Sequence, residues 1–157
     1  VVHRFHARSE RRRIERGGLE LRAGVPALLK SLRRQGILLG LAANQPVSAL
    51  EDLDRCGIGD LFAYRQVSGT HGFRKPDVRV FLAAADQLGV APPECVMVGD
   101  RIDNDIAPAN RLGMRTILYR SGRHIDQQPR SREELPHHTV QSIPELAAVL
   151  QSLLPPQ

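Results

Sequence analysis

Tryptophan is absent from this chain, and tyrosine occurs only as Tyr64 and Tyr119. So few aromatic faces exclude the stacking platforms that hold single-stranded nucleic acid. Cysteine also occurs twice, as Cys56 and Cys95, with a spacing that suits neither a disulfide framework nor a metal pattern. Each is flanked like a core residue, which makes a reducing cytoplasm the expected compartment. No apolar run approaches the ~20 residues that a membrane span needs, and no signal-peptide core is visible. The histidines show no metal-ligand spacing, and the adjacent pair His137 and His138 points its rings apart, toward the surface. Lysine is scarce as well: among 22 basic residues only Lys30 and Lys75 are not arginine.

What is present reads as one domain. At 157 residues the chain buries roughly two-thirds of its unfolded surface without covalent staples. Its hydrophobic content of 41% and charged content of 25% are those of an ordinary soluble protein. The net charge of +5 is concentrated at the start, where residues 1–22 carry seven arginines against three glutamates. Arg11, Arg12 and Arg13 alternate with Glu10 and Glu15 in a helix-like stretch. That stretch is expected to be a solvated helix face and not a nucleic-acid contact.

From residue 24 onward the pattern alternates helix and strand. Val25, Leu28, Leu29 and Leu32 recur at helical spacing, with Pro26 in the first turn and Gly36 at the stop. The run ILLGLAA at 37–43 reads as a buried strand, followed by a helix from about Pro46 to Cys56. Tyr64 to Val67 is a short strand, residues 68–76 a loop, and 77–88 a helix burying Phe81, Ala84, Ala85 and Leu88. Strands follow at 95–99 and 116–119, separated by a short helix from Ile106 to Leu112. Residues 120–137 are polar and loop-like, and Thr139 and Val140 suit an edge strand. Ser142 and Glu145 form a capping box for a last helix that buries Leu146, Val149, Leu150 and Leu153.

Continuous apolar strands alternating with helices predict an α/β fold with a doubly wound, Rossmann-like parallel sheet. Ligands in such sheets bind beyond the strand C-termini. That rule selects Asn44 and its neighbours, the loop 68–76, the segment from Asp100 to Asp105, and the loop after Tyr119.

Within these segments the apolar run Val96 to Gly99 delivers Asp100 to the sheet edge, and Asp105 follows at the start of the next helix. Two carboxylates of this kind suit Mg²⁺, although each also suits a helix cap. Asp103 is better placed as a helix-start residue. Lys75, before Pro76, is able to neutralise a phosphoryl group or steady a carboxylate. Asn44 is expected first as a cap for the helix behind it, and second as a neighbour of a bound anion.

The segments ILLGLAANQP, SGTHGFRKPDVRVFLAAADQLGV and VMVGDRIDNDIAPANRLGMRTI resemble, in order and spacing, motifs II, III and IV of the haloacid dehalogenase (HAD) superfamily. The similarity covers roughly residues 20–150 and is nearest to the phosphatase-like branch with a small helical cap. It implies a HAD-like core at 21–157 behind a cap remnant at 1–20. It also implies that Lys75 is catalytic, steadying a phosphoryl intermediate, and that Asn44 and Lys75 lie at the phosphate. Asp100 and Asp105 would hold Mg²⁺, and the substrate would be a small phosphorylated molecule hydrolysed through an aspartyl-phosphate.

Two departures qualify that expectation. The family's nucleophile motif DxDx[TV] closes its first strand, and these residues contain no such strand. The D-x-D triplets that do occur, Asp52 to Asp54 and Asp103 to Asp105, follow no apolar strand. Ala43 also stands where the family places a Ser or Thr that binds phosphate. The chain is therefore expected to lack the usual first strand and most of the cap, to be inactive as given, and to bind Mg²⁺ weakly or not at all. A non-catalytic binding or interaction domain is the alternative. The absent strand belongs between those ending at Ala43 and Gly99, leaving a gap of ~9.6 Å. An upstream segment absent from these residues is expected to fill it, and a homodimer with exchanged elements is the other way of doing so.

Overall fold

Val25, Leu29 and Leu32 lie on one side of the first helix and are buried, as their spacing requires. The computed structural model describes residues 21–154. The expected cap remnant at 1–20 and its arginine-rich helix lie outside the described residues. Helix α1 (Val25–Arg34) leads into strand β1 (Gly40–Ala43), followed by α2 (Ser48–Arg55) and β2 (Tyr64–Val67). A helical turn α3 (Ser68–His71) and helix α4 (Arg79–Leu88) precede β3 (Val96–Gly99). A wide π-type turn (Ile102–Ile106) runs directly into α5 (Ala107–Arg111). Strands β4 (Arg115–Tyr119) and β5 (His138–Val140) and helix α6 (Ile143–Leu153) complete the order.

The strand pairs among the described residues are all parallel. β1 pairs with β2, and β3, β4 and β5 form a second set in that order. Helices cover both faces. Leu41, Ala43, Val67, Val98 and Ile117 share one core with Val25 and Leu29 of α1 and Leu146 and Leu150 of α6. On the opposite face, Ala42 and Met97 pack with Val80, Phe81 and Ala85 of α4 and Ala109 of α5. This is the doubly wound α/β architecture expected from the alternation. Among the described residues the ladder breaks between β1 and β3, where the family comparison placed the absent strand. The core on the α1 and α6 face nevertheless runs across that break.

Several boundaries differ from expectation. Residues 37–39 lie outside the first strand, because its partner begins only at Tyr64, opposite Gly40. Leu38 accordingly stays 42% exposed. The segment 68–76 contains the turn α3, within which Thr70 donates its hydroxyl to the Val67 carbonyl at 2.6 Å. Asp105, expected at a helix start, instead sits in the wide turn preceding α5.

The capping box at α6 forms as read. The Glu145 amide donates to Ser142 Oγ (3.3 Å), Ser142 Oγ to Glu145 Oε1 (2.8 Å), and the Gln141 amide to Glu145 Oε2 (3.0 Å). These bonds hold the Glu145 carboxyl below its ordinary 4.5, the Gln141 amide contributing most. A lowered pKa in the folded state gives stability that is present above pH 4.5 and lost as pH falls through the folded value. Ser142→Ala should cost about 1 kcal/mol in urea denaturation. Glu145→Gln should flatten the acid limb of the stability curve below pH 4.5, and an unchanged limb would contradict the box.

Candidate phosphate and metal site

The carboxyl ends of β1 and β3, with the loop before α4, bring the expected residues together. Lys75 is 4% exposed, Asp100 2% and Asp105 fully buried. Lys75 Nζ donates to Asp105 Oδ1 at 2.5 Å. The other oxygen, Oδ2, accepts from the amides of Asp100 (3.2 Å) and Arg101 (3.1 Å). Asp105 thus holds the lysine with one oxygen and shapes the strand-end loop with the other. Of the two roles open to Lys75, the structure displays the carboxylate-steadying one.

Asn44 departs from its first expectation. α2 begins at Ser48 behind Val47 and has no side-chain cap. The Asn44 amide turns instead to the loop before α4. Its Nδ2 donates to the Lys75 carbonyl at 2.9 Å, and its Oδ1 accepts from the Lys75 amide at 2.8 Å. This two-point grip fixes the lysine backbone across 31 residues of sequence. A helix cap is a local contact, whereas this one exists only because the ends of β1 and the Lys75 loop meet.

Gly99 is a participant that pattern reading missed. The Asp105 side chain lies directly against its backbone, so that a Cβ at Gly99 would fall 2.6 Å from both Cγ and Oδ2 of Asp105. The pairing of Gly99 with Asp100 was visible in the sequence, but the close approach that requires glycine was not.

Asp103 lies at the mouth of the same turn. Partial burial pushes its pKa up, but hydrogen bonds from Arg101 and Gln127 outweigh this and hold the carboxyl at about 2. It pairs with the Arg101 guanidinium. The second D-x-D triplet lies elsewhere, in α2, where Asp52 bonds Arg55 and Asp54 bonds Arg65. Neither reaches the site as a substitute nucleophile.

A divalent metal fits the donor chemistry in part. Asp100 offers the hard carboxylate oxygens that Mg²⁺ prefers, whereas both oxygens of Asp105 already accept hydrogen bonds, Oδ1 from Lys75 and Oδ2 from two amides. Among the described residues, no group of three or more His, Cys, Asp or Glu side chains gathers around a common point.

Removing the ammonium from this buried pair would leave a carboxylate without its principal counter-charge. Lys75→Ala should cost about 3–5 kcal/mol in denaturant unfolding; a loss below ~1 kcal/mol would show that the pair does not persist in solution. Gly99→Ala should destabilise by about 1–3 kcal/mol, because Asp105 must move to admit the methyl.

The chain is similar to known proteins in both sequence and fold. A family profile described as HAD-hydrolase-like matches residues 72–146. The glyceraldehyde 3-phosphate phosphatase of Methanopyrus kandleri is 38% identical over 130 residues, covering 82% of this chain and 55% of that protein. The N-acylneuraminate-9-phosphatase of Mus musculus is 33% identical over 131 residues, covering 82% and 51%. A HAD phosphatase from Thermococcus onnurineus superposes with a TM-score of 0.72 at 26% identity, covering 83% of this chain and 58% of the other. A 2-haloacid dehalogenase from Pseudomonas syringae gives 0.71 at 28%, covering 87% and 55%. The chain therefore spans about half the length of the curated relatives it matches. With strand-end Asp100, Asp105 behind it and Lys75 bonded across, the chain belongs to the haloacid dehalogenase superfamily, on its phosphatase-like side.

Proposed function

We propose that these residues form the metal- and phosphate-binding half of a Mg²⁺-dependent HAD phosphohydrolase. The observation that carries this reading is the buried bond from Lys75 to Asp105, beside the strand-end Asp100. In this reading Asp100 and Asp105 would hold Mg²⁺, which supplies charge neutralisation for a phosphoryl group. Lys75 keeps a positive charge at the same edge, and Asn44 orients it through the backbone. The substrate is a small phosphorylated metabolite, the class of compound named in the relatives' activities. The acidic form of the fourth motif, Gly99-Asp100 with Asp105, supports phosphatase chemistry over metal-free dehalogenation.

The aspartyl-phosphate route of the family needs a nucleophilic carboxylate from a DxDx[TV] motif closing an apolar strand, a motif that the sequence of these 157 residues does not contain, and Ala43 offers the phosphate no hydroxyl. We therefore infer that this stretch alone binds Mg²⁺ weakly and does not turn over. A non-catalytic binding domain is the second reading, favoured by the commitment of Asp52 and Asp54 to arginines. A cytoplasmic setting fits both, given that Cys95 is a buried thiol. A homodimer exchanging elements across the break between β1 and β3 is compatible with either, and sedimentation would detect it.

The deciding assay is p-nitrophenyl phosphate hydrolysis with and without Mg²⁺, alongside calorimetric titration with Mg²⁺. The expected result is no turnover, with weak Mg²⁺ binding that disappears in Asp100→Asn. Turnover that vanishes on Asp100→Asn would overturn the inertness of this stretch. Mg²⁺ binding that survives the substitution would remove Asp100 from the metal site.

A further inference from the structure

The polar loop leaving β4 returns to the strand-end turn through one side chain. Arg120 Nη1 donates to the carbonyls of Ile125 (2.6 Å) and Gln127 (2.8 Å), folding residues 120–127 back on themselves. The Gln127 amide then faces the turn. Its Oε1 accepts from the Ile102 amide at 2.8 Å, and its Nε2 donates to Asp103 Oδ1 at 2.9 Å. Only one orientation of the amide satisfies both partners, since a backbone N–H requires an acceptor and a carboxylate requires a donor.

Residues 102 and 103 form the middle of the segment whose two ends make the site. Behind them Ile102 and Ile106 pack with Leu118 in a small buried cluster, so the turn is gripped from its apolar side as well. At its near end the amides of Asp100 and Arg101 hold Asp105 Oδ2. At its far end Asp105 meets Lys75.

We propose that Gln127 is a positioning residue for this site, setting the path of the turn so that Asp105 stays on the amides of Asp100 and Arg101. It touches neither amide and acts through Ile102 and Asp103. A displaced turn would carry Asp105, and the lysine bonded to it, out of register with Asp100. The link to metal binding rests on the function proposed above, whereas the link to the turn does not.

The first readout is amide hydrogen exchange at Asp100 and Arg101, which Gln127 does not contact. Gln127→Ala should accelerate both by about 10-fold without a matching change in the strand amides of β4; unchanged rates would overturn the proposal. Gln127→Glu sets carboxylate against carboxylate at Asp103 and should loosen the turn in the same way. Combining it with Asp103→Asn restores a donor opposite an acceptor and should slow exchange again relative to Gln127→Glu alone. Failure of that rescue also counts against the assignment. The second readout is Mg²⁺ affinity by calorimetry, expected to fall by about 10-fold in Gln127→Ala. A wild-type chain that binds no Mg²⁺ would sink the metal reading, and exchange at Asp100 and Arg101 would still decide the role of Gln127.

Discussion

The buried bond between Lys75 and Asp105 is the constraint on which the carboxyl edge of this fold depends. Taking two charges out of water is costly, and their attraction offsets that cost only where further hydrogen bonds complete the carboxylate. Here the completion is visible. Asp105 receives two backbone amides on the oxygen that the lysine does not hold. Lys75 in turn is held at its own backbone by Asn44. Each contact makes the next affordable only in that geometry, so the set stands or falls together.

That relay also crosses a structural break. β1 and β3 share no ladder among the described residues, and parallel strands without a common ladder lack the backbone bonds that fix their relative height. Two kinds of connection remain among the described residues. Below, the apolar cores of the two faces join Leu41, Ala43 and Val67 to Val98 and Ile117, and Ala42 to Met97. Above, Asn44 at the end of β1 reaches Lys75, and Lys75 reaches Asp105 behind β3. Apolar packing is non-directional and sets distance more than register. The polar relay is directional, and it fixes how the two strand ends face each other.

Legibility from sequence followed the physics of each contact. Strands such as Val96–Gly99 and helices such as Val25–Arg34 repeat with a period, so pattern alone located them. The strand-end rule then selected Asp100, Asp105, Lys75 and Asn44 from an otherwise ordinary composition. The role of Asn44 was not legible, because a side chain gripping a backbone 31 residues away leaves no periodic trace. The same holds for Gln127, whose partners lie 24 and 25 positions earlier. Gly99 was readable as part of a motif, but its necessity arises from an approach of Asp105 that only three dimensions reveal. The wide turn at Ile102–Ile106 escaped for a related reason: its apolar residues match a helix start, and only the geometry shows the looser winding.

In the reading proposed above, formal charge gives the site an order of events. Counted at formal charge, the carboxylates of Asp100 and Asp105 and the ammonium of Lys75 sum to −1 among buried side chains. Such a site attracts a cation and repels a phosphate dianion, and burial strengthens both effects relative to water. A divalent cation held there would invert the sum to +1, and a phosphate would then be attracted to the edge that had repelled it. The proposed substrate would therefore bind with or after a metal and not before it. Asn44 matters in this order because it adds no charge. It sets the position of the lysine without altering the sum, so the sign of the site is left to the carboxylates and to any cation they would hold.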